Sequence, residues 1–146
     1  MPDMDWARAR KTLEFHSLDP TLNRLLVLAA LQGDDHPLSA REVFERVMAR
    51  HRLNRVTVYR ILDLFARQGV ASKISVGERG FRYCASSERR PGRHVHFHCL
   101  RCGEVQCVSH RAAALAEELA QSLPLDIRNI ELRLDGICDR CKQKEN

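Results

Sequence analysis

Two short cysteine pairs constrain this chain more than any other feature. Cys99-Leu100-Arg101-Cys102 and Cys138-Asp139-Arg140-Cys141 are both C-x-x-C, with 35 residues between them. The tight turn of such a knuckle aims both sulfurs at one point, so two knuckles present four thiolates that can close tetrahedrally on one zinc. A fold that uses them must bring the C-terminal end of the chain back onto residues 99–102. The opening MPDMDWARAR lacks an apolar signal core, and no apolar run approaches the roughly 20 residues of a membrane span. A cytoplasmic chain is expected, and in a reducing compartment C-x-x-C pairs serve as metal ligands more often than as disulfides.

A second cluster surrounds the first knuckle. His94-Val95-His96 sets two imidazoles on one face of an extended strand, and Cys84 and Cys107 flank it. Two sulfurs with two nitrogens make a soft donor set that suits zinc. The bland alternative is that both cysteines are small buried hydrophobes. The expectation is two zinc ions per chain, one on the knuckles and one on Cys84, His94, His96 and Cys107. His98 and His110 are possible substitutes, and His36 stands in a turn with Pro37.

The rest of the chain predicts helices over 5–15, with Trp6, Ala9 and Leu13 on one face, and over 21–32, capped by Thr21 and facing inward through Leu22, Leu25, Leu26, Ala29 and Ala30. Ser39-Ala40-Arg41-Glu42 is a capping box that opens a helix buried through Val43, Phe44 and Val47. Asn54 caps the next, Arg55 to Gln68, with Val58, Ile61, Leu62 and Phe65 at helical spacing and Gly69 as its stop. Two strand-like runs, Val70–Val76 and Phe81–Cys84, are joined by Gly77-Glu78-Arg79-Gly80 as a hairpin. The last three of these helices and the hairpin spell a winged helix-turn-helix, whose third helix, Arg55 to Gln68, enters the major groove. Arg55, Thr57, Tyr59 and Arg60 lie on that helix's outward face. A guanidinium can bond guanine bidentately, and all four side chains suit phosphate or base contact. The charge supports this, since residues 1–85 hold 14 Lys/Arg against 10 Asp/Glu, most of the net +5.

Residues 86–93, SSERRPGR, read as a polar hinge linker. The predicted organisation is therefore a winged-helix DNA-binding domain at 1–85 and a zinc-containing α/β domain at 94–146. The second has strands over 95–100, 104–108 and 128–134, the last with Ile130, Leu132 and Leu134 alternating. Between them lies a helix over 110–123 with Leu115, Leu119 and Leu123 inward. About 50 residues bury only a small core, so the metal would substitute for missing burial. An exposed sheet edge is often completed by dimerisation. The tail KQKEN is expected to be disordered.

TVYRILDLFARQGV (Thr57–Val70), a wing, HVHFHCLRCGEV (His94–Val105) and a terminal C-x-x-C together resemble the ferric uptake regulator family, most of all its zinc uptake regulator subgroup. The resemblance runs from about Thr21 to Cys141. It implies a metal-dependent bacterial repressor that binds a palindromic operator on double-stranded DNA as a homodimer, with no membrane and no small-molecule substrate. The family's structural zinc falls on Cys99, Cys102, Cys138 and Cys141. Its regulatory site falls on Cys84, His94, His96 and Cys107. Iron- and peroxide-sensing members typically carry carboxylates where this chain has Cys84 and Cys107, and thiolates with imidazoles favour zinc. An additional metal site of many members aligns with Arg93, Val95, Ala114 and Ile130, none of them ligands. Asp19 stands where many members have a basic residue before the first helix.

Three alternatives remain at this stage. An iron, manganese or peroxide sensor of the same family is the nearest. A zinc enzyme would need an open coordination position and a general base, and neither H-E-x-x-H nor H-x-E occurs here. A zinc-stapled interaction module leaves the Tyr59–Arg60 helix and the wing without a purpose.

Overall fold

Each helix of the N-terminal half begins at a small polar residue whose side chain accepts an otherwise orphaned backbone N–H. The computed structural model describes residues 4–34, 36–85, 93–108, 110–127 and 130–145, excepting the side chains at 79, 93, 94 and 110–113. Asp5 caps α1 (Trp6–Phe15), Thr21 caps α2 (Leu22–Gln32), Ser39 caps α3 (Ala40–Met48) and Asn54 caps α4 (Arg55–Gln68). The capping box is complete: Glu42 N–H donates to Ser39 Oγ at 3.1 Å, and Ser39 N–H donates to Glu42 Oε2 at 3.2 Å. Gly69 ends α4 in the left-handed region at φ 77°, which a residue with a Cβ adopts only at a cost.

The chain divides into two compact units, Met1–Pro91 and Gly92–Asn146. The first is a winged helix-turn-helix. Every residue of α2 from Leu25 to Leu31 is buried, so α2 is the central helix and α1, α3 and α4 pack around it. Ala9, Leu13, Val43, Val47, Val58, Leu62 and Phe65 join it in a core that extends to Tyr83. The expected inward faces hold with three corrections. Leu22 is 56% exposed and Trp6 38%, because each lies in a first turn beyond the reach of neighbouring helices. Phe44 is only half-buried, and the Arg55 guanidinium lies 5.1 Å above its ring. The hairpin of β1 (Ala71–Ser75) and β2 (Phe81–Ala85) is antiparallel, with a short 3-10 turn at Gly77–Arg79. Leu38 adds a bridge to Tyr83, which sequence reading did not anticipate. Glu42 also accepts from Arg82 Nη1 at 2.9 Å, tying the wing to α3.

The second unit is a small α/β fold. Its sheet has the order β4-β3-β5, with β3 (Arg93–Cys99) antiparallel to β4 (Val105–Cys107) and parallel to β5 (Ile130–Gly136). The helix α5 (His110–Ser122) makes the crossover and lies against β3 and β5. The leucines expected to face inward from this helix and its end do not. Leu115, Leu119 and Leu123 are 63%, 50% and 44% exposed, while Ala116 and Ala120 are buried. Small side chains let the helix sit close to the sheet, which leaves the leucines on its outer face. Leu134, expected to alternate inward, is 49% exposed on the edge strand β5. The tail is also more ordered than expected: α6 (Asp139–Gln143) includes Lys142 and Gln143, and Glu145 pairs with Arg101. Of the expected linker only Arg93 is described, as the first residue of β3. Among the described residues no helix is long and apolar enough to cross a membrane.

Candidate metal centre

The first knuckle begins where β3 ends. Cys99 N–H donates to the Glu104 carbonyl and Gly103 N–H to the Cys99 carbonyl, each at 2.9 Å, and Gly103 takes φ 75° to close the turn. The second knuckle begins where β5 ends. Cys138 stands immediately before α6, and its carbonyl accepts from Lys142 N–H at 3.0 Å. Leu100 N–H donates to the Gly136 carbonyl at 2.8 Å, which holds the two turns side by side as the parallel β3–β5 ladder ends.

This arrangement gathers the four predicted thiols, whose sulfurs all lie within 4.8 Å of one another. The Cys99–Cys141 and Cys102–Cys138 pairs are each separated by 3.9 Å. A tetrahedral zinc with Zn–S bonds of about 2.3 Å requires sulfurs roughly 3.8 Å apart. The four cysteines are free thiols. Cys99, Cys138 and Cys141 are buried and Cys102 is exposed, so the cluster is closed on one side and reachable on the other. Donor type, number and spacing fit a zinc ion.

The electrostatics call for a cation. Backbone N–H groups of Cys102 and Cys138 point at the Cys99 sulfur and lower its pKa to about 6, the Cys138 contact being 3.4 Å. Hydrogen bonding to Cys138, then burial, pushes the Cys141 thiol up to about 12. Four thiols this close cannot all ionise unless positive charge enters among them. Two arginines supply part of it. Arg140 pairs with Glu104 and lies beside Cys102, and Arg101 pairs with Glu145. Sequence reading missed this shell, although the repeated C-x-R-C was visible.

The second predicted set is divided between the units. His96 is 1% exposed, and Cys107, exposed on β4, is its partner in the antiparallel ladder. His94 lies two residues earlier on β3, and its side chain is outside the described ones. Cys84 belongs to the first unit, half-buried on β2 opposite Ser72. His36 lies in a turn at Asp34, which accepts its backbone N–H at 2.9 Å. His98 Nδ1 is 3.2 Å from Asp135 Oδ1 and 2.9 Å from Arg133 Nη2. The Arg133 guanidinium, then His98, holds the Asp135 carboxyl below the usual carboxylate range. The side chain of His110 is outside those described. On α4, Arg55, Tyr59 and Arg60 are exposed and Thr57 is half-buried, so the helix presents them beside an exposed Val56.

The ferric uptake regulator family model matches residues 16–135. This chain belongs to the ferric uptake regulator family. A ferric uptake regulation protein of Bacillus subtilis is 30% identical over 94% of this chain and 95% of its own length. Among solved structures, a zinc uptake regulator complexed with zinc and DNA has a TM-score of 0.64 at 25% identity, covering 96% of this chain and 94% of that one. The Pseudomonas aeruginosa ferric uptake regulator with manganese has a TM-score of 0.70 at 22% identity, covering 90% and 98%, a likeness of fold. As a member of the ferric uptake regulator family the chain is a metal-responsive regulator.

Proposed function

We propose that this chain is a zinc-sensing transcriptional repressor, with zinc as corepressor, that controls metal-uptake genes. It would hold two zinc ions, a structural one on Cys99, Cys102, Cys138 and Cys141 and a regulatory one on Cys84, His94, His96 and Cys107. The observation that carries the choice of metal is the second donor set. His96 on β3 and Cys107 on β4 are ladder partners, His94 is also on β3, and Cys84 is the next-to-last residue of the wing strand β2. Thiolates with imidazoles favour zinc, whereas Fe(II) and Mn(II) suit carboxylates. Bound zinc would draw these four side chains together as ligands of one ion.

In this reading residues 1–85 are the DNA-binding domain, 86–93 the hinge and 94–146 the dimerisation domain. Arg55, Thr57, Tyr59 and Arg60 contact operator DNA. The outward leucines of α5, with Leu134 on the sheet edge, support a homodimer whose two α4 helices address a palindrome. Cys84 reports on the first domain, and His94, His96 and Cys107 on the second. By closing on one ion they select one domain arrangement, to the extent that they bind more tightly in it. Zinc affinity and DNA affinity then rise by the same factor.

Binding to the chain's own promoter DNA, read by fluorescence anisotropy under anaerobic buffered metal, tests this. Tight binding at the lowest free zinc is expected, with Fe(II) and Mn(II) needing far more. Cys84→Ser should abolish the response and leave a folded dimer. A response to Fe(II) or Mn(II), with zinc adding nothing beyond the structural ion, would overturn zinc sensing. It would favour the second reading, an iron, manganese or peroxide sensor, which the Bacillus subtilis relative supports.

A further inference from the structure

The two knuckles share more than their cysteines. Each has arginine at its third position, giving C-x-R-C twice. Arg101 of the first knuckle pairs with Glu145, four residues past the second, and its Nη1 donates to the Cys141 carbonyl at 3.5 Å. Arg140 of the second knuckle pairs with Glu104, two residues past the first. Each pair thus runs from one knuckle to the chain beyond the other, and the two cross in opposite directions. Glu104 is itself positioned, since Gln106 Nε2 donates to its Oε1 at 3.3 Å.

We propose that Arg101 and Arg140 strap the two knuckles together and slow the release of the ion that the four thiols hold. This rests on reading the four-thiol cluster as a zinc site. The side chains of Arg140 and Arg101 are 66% and 46% exposed, and exposed pairs contribute little to equilibrium stability. Their effect is on the path of escape. Ligand exchange starts when one thiolate swings away and a competing ligand takes its place. Cys102 is the exposed thiol of the four, and its departure parts the first knuckle from the second. Arg140, beside Cys102, and the Arg101–Glu145 pair both resist that parting.

The test is a cycle of zinc-transfer rates. The full chain is dialysed anaerobically against EDTA to one zinc per chain, and transfer to 4-(2-pyridylazo)resorcinol is followed by absorbance. Arg140→Gln and Glu104→Gln should each speed release about fivefold, the upper range for one exposed ion pair. The double variant should be no faster than either single one. The exchanged pair, Arg140→Glu with Glu104→Arg, should return to within about twofold of the native rate. If Arg140→Gln loses its zinc on dialysis, Arg140→Lys, which keeps the charge without the fork, replaces it in the same cycle. Single-variant rates equal to native, or a double variant that multiplies the single effects with no rescue on exchange, would overturn the straps. A native chain that keeps no zinc through dialysis would instead overturn the zinc-site reading itself.

Discussion

The N-terminal unit is held by burial, with α2 buried on every side from Leu25 to Leu31 and a continuous core from Ala9 to Tyr83. In the C-terminal unit three of the four knuckle cysteines, Cys99, Cys138 and Cys141, themselves make a core cluster, joined by Phe97 and Ile137. Leucines that could have enlarged that unit's interior lie on its outside. The contrast shows two ways of meeting the same entropy cost: one unit removes apolar surface from water, the other gathers four thiols fit to hold a metal. Because the two draw on separate sources, each should be removable without the other.

Metal removal should separate them most widely. Structural zinc sites contribute about 10–16 kcal/mol of apparent binding free energy at neutral pH. In the metal-free chain, or in Cys102→Ser, β3, β4 and β5 should lose amide protection in hydrogen exchange while α2 and α4 keep theirs. Loss in both units together, or in neither, would erase the distinction. The reciprocal change is Phe65→Ala, at a side chain with 0% exposure. It should cost about 3–5 kcal/mol, seen as a shifted denaturant midpoint for the N-terminal unit. The knuckle zinc, measured by elemental analysis, should stay in place.

The same contrast explains what the sequence disclosed. The first unit was legible because its elements follow local rules. Caps at Thr21, Ser39 and Asn54, the stop at Gly69 and the spacing of Val58, Ile61, Leu62 and Phe65 each report their own helix. The four-thiol cluster was legible because knuckle spacing is itself a statement about geometry. The faces of α5 were not. Helical periodicity says that Leu115 and Leu119 share a side; it does not say which side meets the sheet. Ala116 and Ala120 took it because β3 and β5 can approach a helix closely only over small side chains. The arginine shell stayed hidden for another reason: Arg101–Glu145 and Arg140–Glu104 span 44 and 36 residues, beyond any local pattern.

A smaller effect should appear with pH in the metal-free C-terminal unit. The Cys99 pKa, lowered to about 6 in the fold, makes the folded state hold fewer protons than the unfolded chain between that value and the free-thiol range. Its stabilising contribution is therefore complete above the free-thiol pKa of about 8.5 and fades as pH falls through the folded value. Cys141, raised to about 12, has the opposite sign, its contribution present below about 8.5 and lost on the way up. Residual protection of β3 and β5, corrected for intrinsic exchange, should peak near pH 8.5 and fall on both sides. A flat profile would mean that the thiols do not meet without their ion.

The smallest effect sharpens the comparison from the other side. Asn54 caps α4 through a 2.8 Å bond from Val56 N–H, so Asn54→Ala should cost the N-terminal unit about 1 kcal/mol. It should leave zinc release from the other unit unchanged. Asn54→Asp keeps an oxygen in the same place and adds a negative charge at the helix N-terminus, where the helix dipole favours it. Stability should therefore hold or rise slightly. If α4 faces DNA, the new charge meets phosphates and affinity should fall, with a shallower dependence on salt. Thermal melts and salt-dependent anisotropy on the same two proteins thus separate capping from contact. A variant with Asp at this position that binds DNA as well as the native chain would remove the N-terminus of α4 from the interface.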